Sequence, residues 1–232
     1  MTKIIAIIPA RGCSKRIPRK NIKEFHGVPM IQHTISMAKS SSLFDQIIVS
    51  TDDTEIANIA KRDDVKVHQR NRNLANDFTT TVEVISNILK ADEYLALSED
   101  TIVVCLYPVT PLLQYRRVKE AIDYLKDGNS TYIFPVHEFE SPVERGFKLS
   151  LKNHPKIFFQ KYFSKRTQDI EPTFHDAGQF YVASIDTWRE MKPIISKNSK
   201  VIKLEKFETV DVDNQTDWNF VEELYSIRKK KD

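Results

Sequence analysis

The run Ile4-Ile5-Ala6-Ile7-Ile8 constrains the fold more than any other stretch of this chain. It is apolar without alternation and mostly β-branched, which reads as a strand buried on both faces. Such a sheet must be covered by helices on both sides. The rest of the chain keeps that rhythm. Short apolar runs at Gln46–Ser50, Val65–Val67, Thr101–Tyr107 and Thr131–Val136 are interleaved with helical stretches. One helix begins at Pro29 and turns Ile31, Ile35 and Ala38 to one face; others cover Thr54–Arg62, Thr80–Tyr94 and Gln114–Lys126. The expected class is α/β, a doubly wound and mostly parallel sheet with right-handed crossovers. Gly178–Ser184 reads as a further strand, and Val201–Leu204 with Glu208–Val212 gives one or two more. A last helix from Gln215 carries Trp218, Val221, Leu224 and Tyr225 on its apolar stripe. The basic tail Arg228–Lys231 suits a helix C-terminus, where cations complement the macrodipole.

The first strand ends at Pro9 and runs into a loop with five cations among the eleven residues Arg11–Asn21: Arg11, Lys15, Arg16, Arg19 and Lys20. A loop at the carboxyl end of a buried strand is where open α/β sheets bind ligands. Its charge selects an anion, most simply a polyphosphate held by charge-assisted hydrogen bonds. The Gly12-Cys13-Ser14 kink lets backbone N–H groups turn toward such an anion; a merely solvated loop is the competing reading. Neither G-x-x-x-x-G-K-[ST] nor G-x-G-x-x-G occurs, which argues against the common ATPase and dinucleotide sites.

The second feature is Asp211-Val212-Asp213. In a strand, residues two apart face the same way, so both carboxylates can meet one cation. Mg²⁺ accepts one or two carboxylates and keeps its other positions for water and phosphate oxygens. The alternative is a polar strand end leading into a helix cap at Asn214 or Thr216. Asp52 and Asp53 offer the same choice, and with Thr51 they read as the N-terminal cap of the following helix.

From about His137 to Phe174 the rhythm breaks into a stretch rich in Pro, Lys and aromatic residues, including Ile157-Phe158-Phe159 and Tyr162-Phe163. A long irregular segment in a compact domain usually has a task, and its apolar residues would form a patch that meets a partner. At 232 residues, with 41% hydrophobic and 29% charged residues, the chain suits a single domain with a full core. The net charge of +3 is too mild for nucleic-acid binding as the main task. Two cysteines make no disulfide framework, and no apolar run approaches a membrane span. With no signal-peptide pattern at its start, the expected compartment is the cytoplasm.

With Pro9, Ala10, Arg11, Gly12, Ser14, Lys15, Ile17, Pro18, Lys20 and Asn21 in place, the opening resembles the sugar-acid cytidylyltransferases, whose signature is close to P-A-R-G-G-S-K-x-[IL]-P-x-K-N. Cys13 departs from it. The likeness runs from Ile5 to Leu224. It implies a Rossmann-like nucleotidyltransferase domain, residues 1–232, that transfers CMP from CTP to a nine-carbon acidic sugar and releases pyrophosphate. It also implies a homodimer, with residues 137–175 as a dimerisation and substrate-lid insertion. By the same resemblance Arg11 and Lys20 hold phosphates, with Ser14, Lys15 and Asn21 assisting. Ala10, Arg11, Arg70 and Asp77 contact or border the cytidine, although Arg70 alone would equally read as a surface cation. Asp211 and Asp213 match the family's Asp-[IV]-Asp Mg²⁺ site, and Arg11, Lys20 and Asp211 carry the chemistry. The ion either polarises the α-phosphate or helps deprotonate the attacking hydroxyl.

Tyr107-Pro108-Val109-Thr110-Pro111 stands where sialic acid enzymes show Gln-Pro-Thr-Ser-Pro. With Arg166-Thr167-Gln168-Asp169 and the run Phe174–Tyr181, it looks like the pseudaminic acid branch. That likeness implies sugar contacts from Tyr107, Arg145, Arg166, Gln168, His175, Gln179 and Tyr181. Arg145 would meet the sugar carboxylate, and His175 is either a sugar donor or a structural residue beside Asp176. N-acetylneuraminate and legionaminate are the alternative sugars. A catalytically impaired nucleotide-binding protein is the alternative of another class.

Overall fold

The computed structural model describes residues 2–128 and 130–230; Lys231, the last cation of the basic tail, lies outside the described residues. In chain order the main elements are β1 (Ile4–Pro9), α1 (Met30–Ser40), β2 (Gln46–Thr51), α2 (Thr54–Arg62) and β3 (Lys66–Gln69). Then come α3 (Thr81–Leu89), β4 (Ile102–Leu106), α4 (Tyr115–Lys126), β5 (Ile133–Glu138), β6 (Phe174–Asp176) and β7 (Phe180–Ser184). The chain finishes with α5 (Ile185–Arg189), β8 (Lys200–Lys203) and α6 (Gln215–Lys229).

The strands join in the order β3-β2-β1-β4-β7-β5, with β6 and β8 both paired to β5. β1 lies between β2 and β4 and is parallel to both. From β1 the chain winds outward through β2 to β3 and then returns to β4 on the other side, so the carboxyl ends of β1 and β4 flank a topological switch point. β7 is antiparallel to β4 and to β5, which makes the sheet mixed but mostly parallel.

The unalternated run of β1 is explained by its surroundings. Ala6 and Ile8 join a core with Ile31 and Ile35 of α1, Ile56 of α2 and Val118 of α4. Ile5 and Ile7 face the opposite way, onto Ile85 and Ile88 of α3 and Trp188 of α5. A third cluster of Ile17, Phe25, Met30, Leu112, Val212, Trp218 and Val221 fastens α6 and the loop before it beside the switch point. Among the described residues no helix is long and apolar enough to cross a membrane.

Local chemistry sets most of the helix starts. Asp53 caps α2, its carboxylate accepting from the Glu55 and Ile56 amides, which supports the cap reading. Thr80 and Glu83 form a reciprocal capping box on α3. That helix stops at Leu89 rather than running to Tyr94, and a separate turn covers Asp92–Leu95. Arg189 holds the break, donating to the carbonyls of Leu89 (3.4 Å) and Tyr94 (2.8 Å).

One strand expectation is corrected. Glu208–Val212 is not a strand: β8 ends at Lys203 and the chain stays irregular to Asn214. The Glu208 amide and carboxylate both close a turn onto Glu205. The insertion, in turn, is closed at its base by the antiparallel pairing of Phe174 with Glu138. It holds a small hairpin, Phe147–Leu149 with Pro155–Ile157, and several single 3₁₀ turns.

Candidate active site

A cleft of about 450 Å³ opens at the β1/β4 switch point. On one wall stand Arg11, Ser14, Lys15, Arg16, Lys20 and Asn21 from the loop after β1. Arg70 lies at the floor of the cleft; Asn76, Asp77, Thr79 and Thr81, then Tyr107, Pro108 and Gly178, continue the lining, and Asp211 to Asp213 complete it. Ala10 is fully buried, and its amide extends the ladder to the Ser50 carbonyl at 2.9 Å. It is not among the residues that line the cleft.

The loop is shaped by two small residues and one buried one. Gly12 donates its amide to Asp52 at 3.0 Å, and a Cβ there would stand 2.5 Å from the Asp53 carboxylate, so only glycine fits. Asn21 is buried and donates to the Arg11 carbonyl at 2.8 Å, which fixes the loop's two ends together. Cys13 is exposed, lies outside the cleft lining and has no positive φ. The departure from the family signature is thus accommodated without strain.

Every cation of the loop faces an acid. Arg11 (2.6 Å) and Lys15 both pair with Asp77, Arg16 pairs with Asp213, and Arg19 spans Asp53 and Glu55 at the cap of α2. Lys20 donates to the Val212 carbonyl at 2.6 Å and sits 4.0 Å from Asp213. Arg70 lies buried beneath the cleft, donating to the Ser50 carbonyl at 2.7 Å. Desolvation pulls its guanidinium down to about 10. It is a floor residue and not a surface cation.

Asp211 and Asp213 flank Val212, which is locked into the third core cluster. The inward–outward alternation expected of a strand survives in an irregular segment, because the buried Val212 orients its neighbours. Asp211 keeps a solvent-open edge. Even so, loss of water on its protein side and the charge of Asp213 push its carboxyl above the usual range. A carboxylate held up by burial and like charge is a donor that a divalent cation would relieve. Among the described residues no cluster of three or more His, Cys, Asp or Glu side chains occurs. A cation here would take two carboxylates and complete its shell with water and phosphate oxygens, which fits Mg²⁺.

The residues expected on the sugar side divide. Tyr107 lines the cleft, its hydroxyl 2.7 Å from Thr81. Tyr181 packs edge-on behind it and donates to Asp176 at 2.7 Å; burial raises both phenols. Gln179 is buried and donates to the Glu208 carbonyl at 2.7 Å, so its amide braces the Asp211 loop and does not face the cleft. His175 points to the opposite face, against His137 and Phe139. Arg145 donates to Thr167, and Arg166 forks onto Asp169. With Gln168 they belong to the insertion and do not line the cleft of their own chain.

Sequence reasoning passed over Arg16, Asn76, Thr79 and Thr81 as cleft residues. Arg16 carried a signal, since it shares the cationic loop. The others sit in a polar, turn-rich stretch that looks like any surface loop. Glu208, buried with its carboxylate among Gln114, Arg116 and Arg117, gave none.

A phosphate-scale cleft at a switch point, lined by cations and rimmed by paired acids, defines a nucleotidyltransferase of the α/β class. The chain belongs to the cytidylyltransferase family, whose model matches residues 5–223. It is 36% identical over 229 residues to pseudaminic acid cytidylyltransferase of Campylobacter jejuni, covering 97% of each chain. It is 27% identical over 238 residues to CMP-N,N'-diacetyllegionaminic acid synthase of Legionella pneumophila, covering 98% of each. The solved structure of CMP:2-keto-3-deoxy-manno-octonic acid synthetase complexed with CTP matches the fold with a TM-score of 0.72 at 17% identity, covering 98% of this chain and 100% of that one.

Proposed function

We propose that this enzyme transfers CMP from CTP to the anomeric hydroxyl of a nine-carbon acidic sugar, pseudaminic acid, with Mg²⁺ as cofactor and a homodimer as the working form. The observation that carries the reading is the meeting of Lys20 with the acid pair: its ammonium lies against Val212 and Asp213 in the same cleft as Arg11 and Lys15. One triphosphate in this cleft would face both the cationic loop and the carboxylates.

The sugar hydroxyl oxygen attacks the α-phosphorus, a new P–O bond forms, and the bond to the bridging α,β-oxygen breaks. Pyrophosphate leaves with that electron pair, and the hydroxyl proton passes to base or water. Chemistry of this kind rests on positioning and charge neutralisation. Arg11 and Lys15, drawn by Asp77 to the mouth of the cleft, hold the phosphates, and Lys20 neutralises charge on the transferring group. Arg70 keeps the floor under the base rigid, and Tyr107 presents a phenol on the sugar side. A magnesium ion on Asp211 and Asp213, when bound, supplies Lewis-acid polarisation of a phosphoryl oxygen or lowers the pKa of the attacking hydroxyl.

The dimer reading rests on the insertion. Phe147, Leu149, Leu151, Ile157, Phe158 and Phe159 are all exposed on it, more apolar surface than a monomer usually leaves bare. A second copy covering this patch would bring its own cleft to the insertion that carries Arg145 and Arg166, which do not line the cleft of their own chain.

Pyrophosphate release from CTP with Mg²⁺, measured with pseudaminic, legionaminic and N-acetylneuraminic acids in parallel, tests the substrate. Turnover with pseudaminic acid at least tenfold above the others is the expected result. A preference for either other acid reassigns the sugar, and CTP binding without release with any of them overturns the activity.

A further inference from the structure

The acid pair sits on an irregular segment that no strand ladder holds, so something else must fix its height over the cleft. On one side the support is plain: Asp217 accepts from the amides of Asp213 and Asn214, at the capping box of α6. On the other side the support is Glu208, a residue only 7% exposed. Arg117 donates to it through Nε (3.1 Å) and a terminal nitrogen (2.7 Å), a fork on both oxygens. Gln114 adds a bond of 3.0 Å and the Glu205 amide one of 2.8 Å. The Glu208 carbonyl accepts from the buried Gln179, and the Thr209 hydroxyl donates to the Ala177 carbonyl at 3.1 Å. Through these bonds the loop is tied to α4 and to the bend beside Gly178, itself a cleft residue.

So many partners on one buried carboxylate exceed what closing a four-residue turn needs. Together with the Gln179 and Thr209 bonds they connect α4 and the bend beside Gly178 to a point three residues before Asp211. We propose that Glu208, forked by Arg117 and backed by Gln179, is a positioning residue that sets the Asp211–Asp213 carboxylates for a divalent cation. The proposal rests on the reading of that pair as the metal site. Outer partners that orient metal ligands typically change metal affinity by roughly 10- to 100-fold when removed.

The test uses Mn²⁺ as probe and no sugar, so that CTP is not consumed. Binding of Mn²⁺ to the full chain saturated with CTP is followed by electron paramagnetic resonance in wild type, Glu208→Gln, Arg117→Lys and Asp211→Asn, alongside metal-free CTP affinity and thermal unfolding. Glu208→Gln is expected to weaken Mn²⁺ about tenfold or more, to leave metal-free CTP affinity within about twofold and, in a separate assay with sugar added, to regain turnover at high Mg²⁺. In an Asp211→Asn background it should weaken Mn²⁺ no further, since the two act on one site. If Glu208→Gln does not fold, Arg117→Lys, which keeps the charge and loses the fork, carries the same expectation at smaller size. A folded Glu208→Gln or Arg117→Lys protein with wild-type Mn²⁺ affinity overturns the positioning role where Asp211→Asn still weakens binding. Unchanged Mn²⁺ binding in Asp211→Asn itself overturns the metal reading, and the positioning role with it.

Discussion

Lys20 and Asp211 are driven in opposite directions by the same cleft wall. Desolvation lowers the Lys20 ammonium and raises the Asp211 carboxyl, and each charge partly restores the other. Folding therefore disfavours the ionised form of Asp211 relative to the unfolded chain. A group whose pKa is higher folded than unfolded favours the fold at low pH and loses that contribution as pH rises through its folded value. Asp211→Asn should therefore raise the melting temperature near pH 7 in the absence of divalent cations. The gain should vanish below the ordinary carboxylate range, and a scan of melting temperature against pH checks it. Equal melting temperatures at all pH values would contradict it. Gly12 makes the second prediction at this scale. Gly12→Ala forces a Cβ against Asp53, the cap of α2 and the partner of Arg19. Overpacking of this kind costs about 1–3 kcal/mol, and denaturant unfolding together with CTP titration should show stability and affinity falling together.

At the level of elements, legibility followed the source of order. β1 and α2 could be read because their residues specify them locally, through an unbroken apolar run and an Asp cap. The break after α3 could not, because the arginine that satisfies its carbonyls comes from α5, far along the chain. Glu208–Val212 misled for a different reason. The alternation of Val210, Asp211, Val212 and Asp213 is a strand pattern, yet its order comes from Val212 in a core cluster and from side-chain bonds on Glu208. The resemblance of the Phe174–Tyr181 run implies a sugar contact at Gln179, whose burial is visible only in the fold. The insertion yields the element-scale prediction. Leu149→Asp with Phe158→Asp on its hairpin should convert a dimer to a monomer in sedimentation velocity, with the melting transition of the central domain retained. A dimer surviving both substitutions would place the interface elsewhere.

Across the whole molecule, the account depends on the loop after the first strand and the segment before the last helix acting on one triphosphate. They lie far apart in sequence and meet because the switch point puts β1 beside β4, while the third core cluster pins α6 next to both. The measurement that tests this most directly is pyrophosphate release from CTP and pseudaminic acid across a Mg²⁺ titration, in wild type, Lys20→Ala, Asp211→Asn and the double variant. Removing one preorganised charge from such a site costs about 3 kcal/mol, on the order of 10²–10³ in rate. Each single variant should lose that much, the double variant far less than the product of the two, and wild type should fall silent without a divalent cation. Full activity in either single variant, or turnover indifferent to Mg²⁺, would contradict the account.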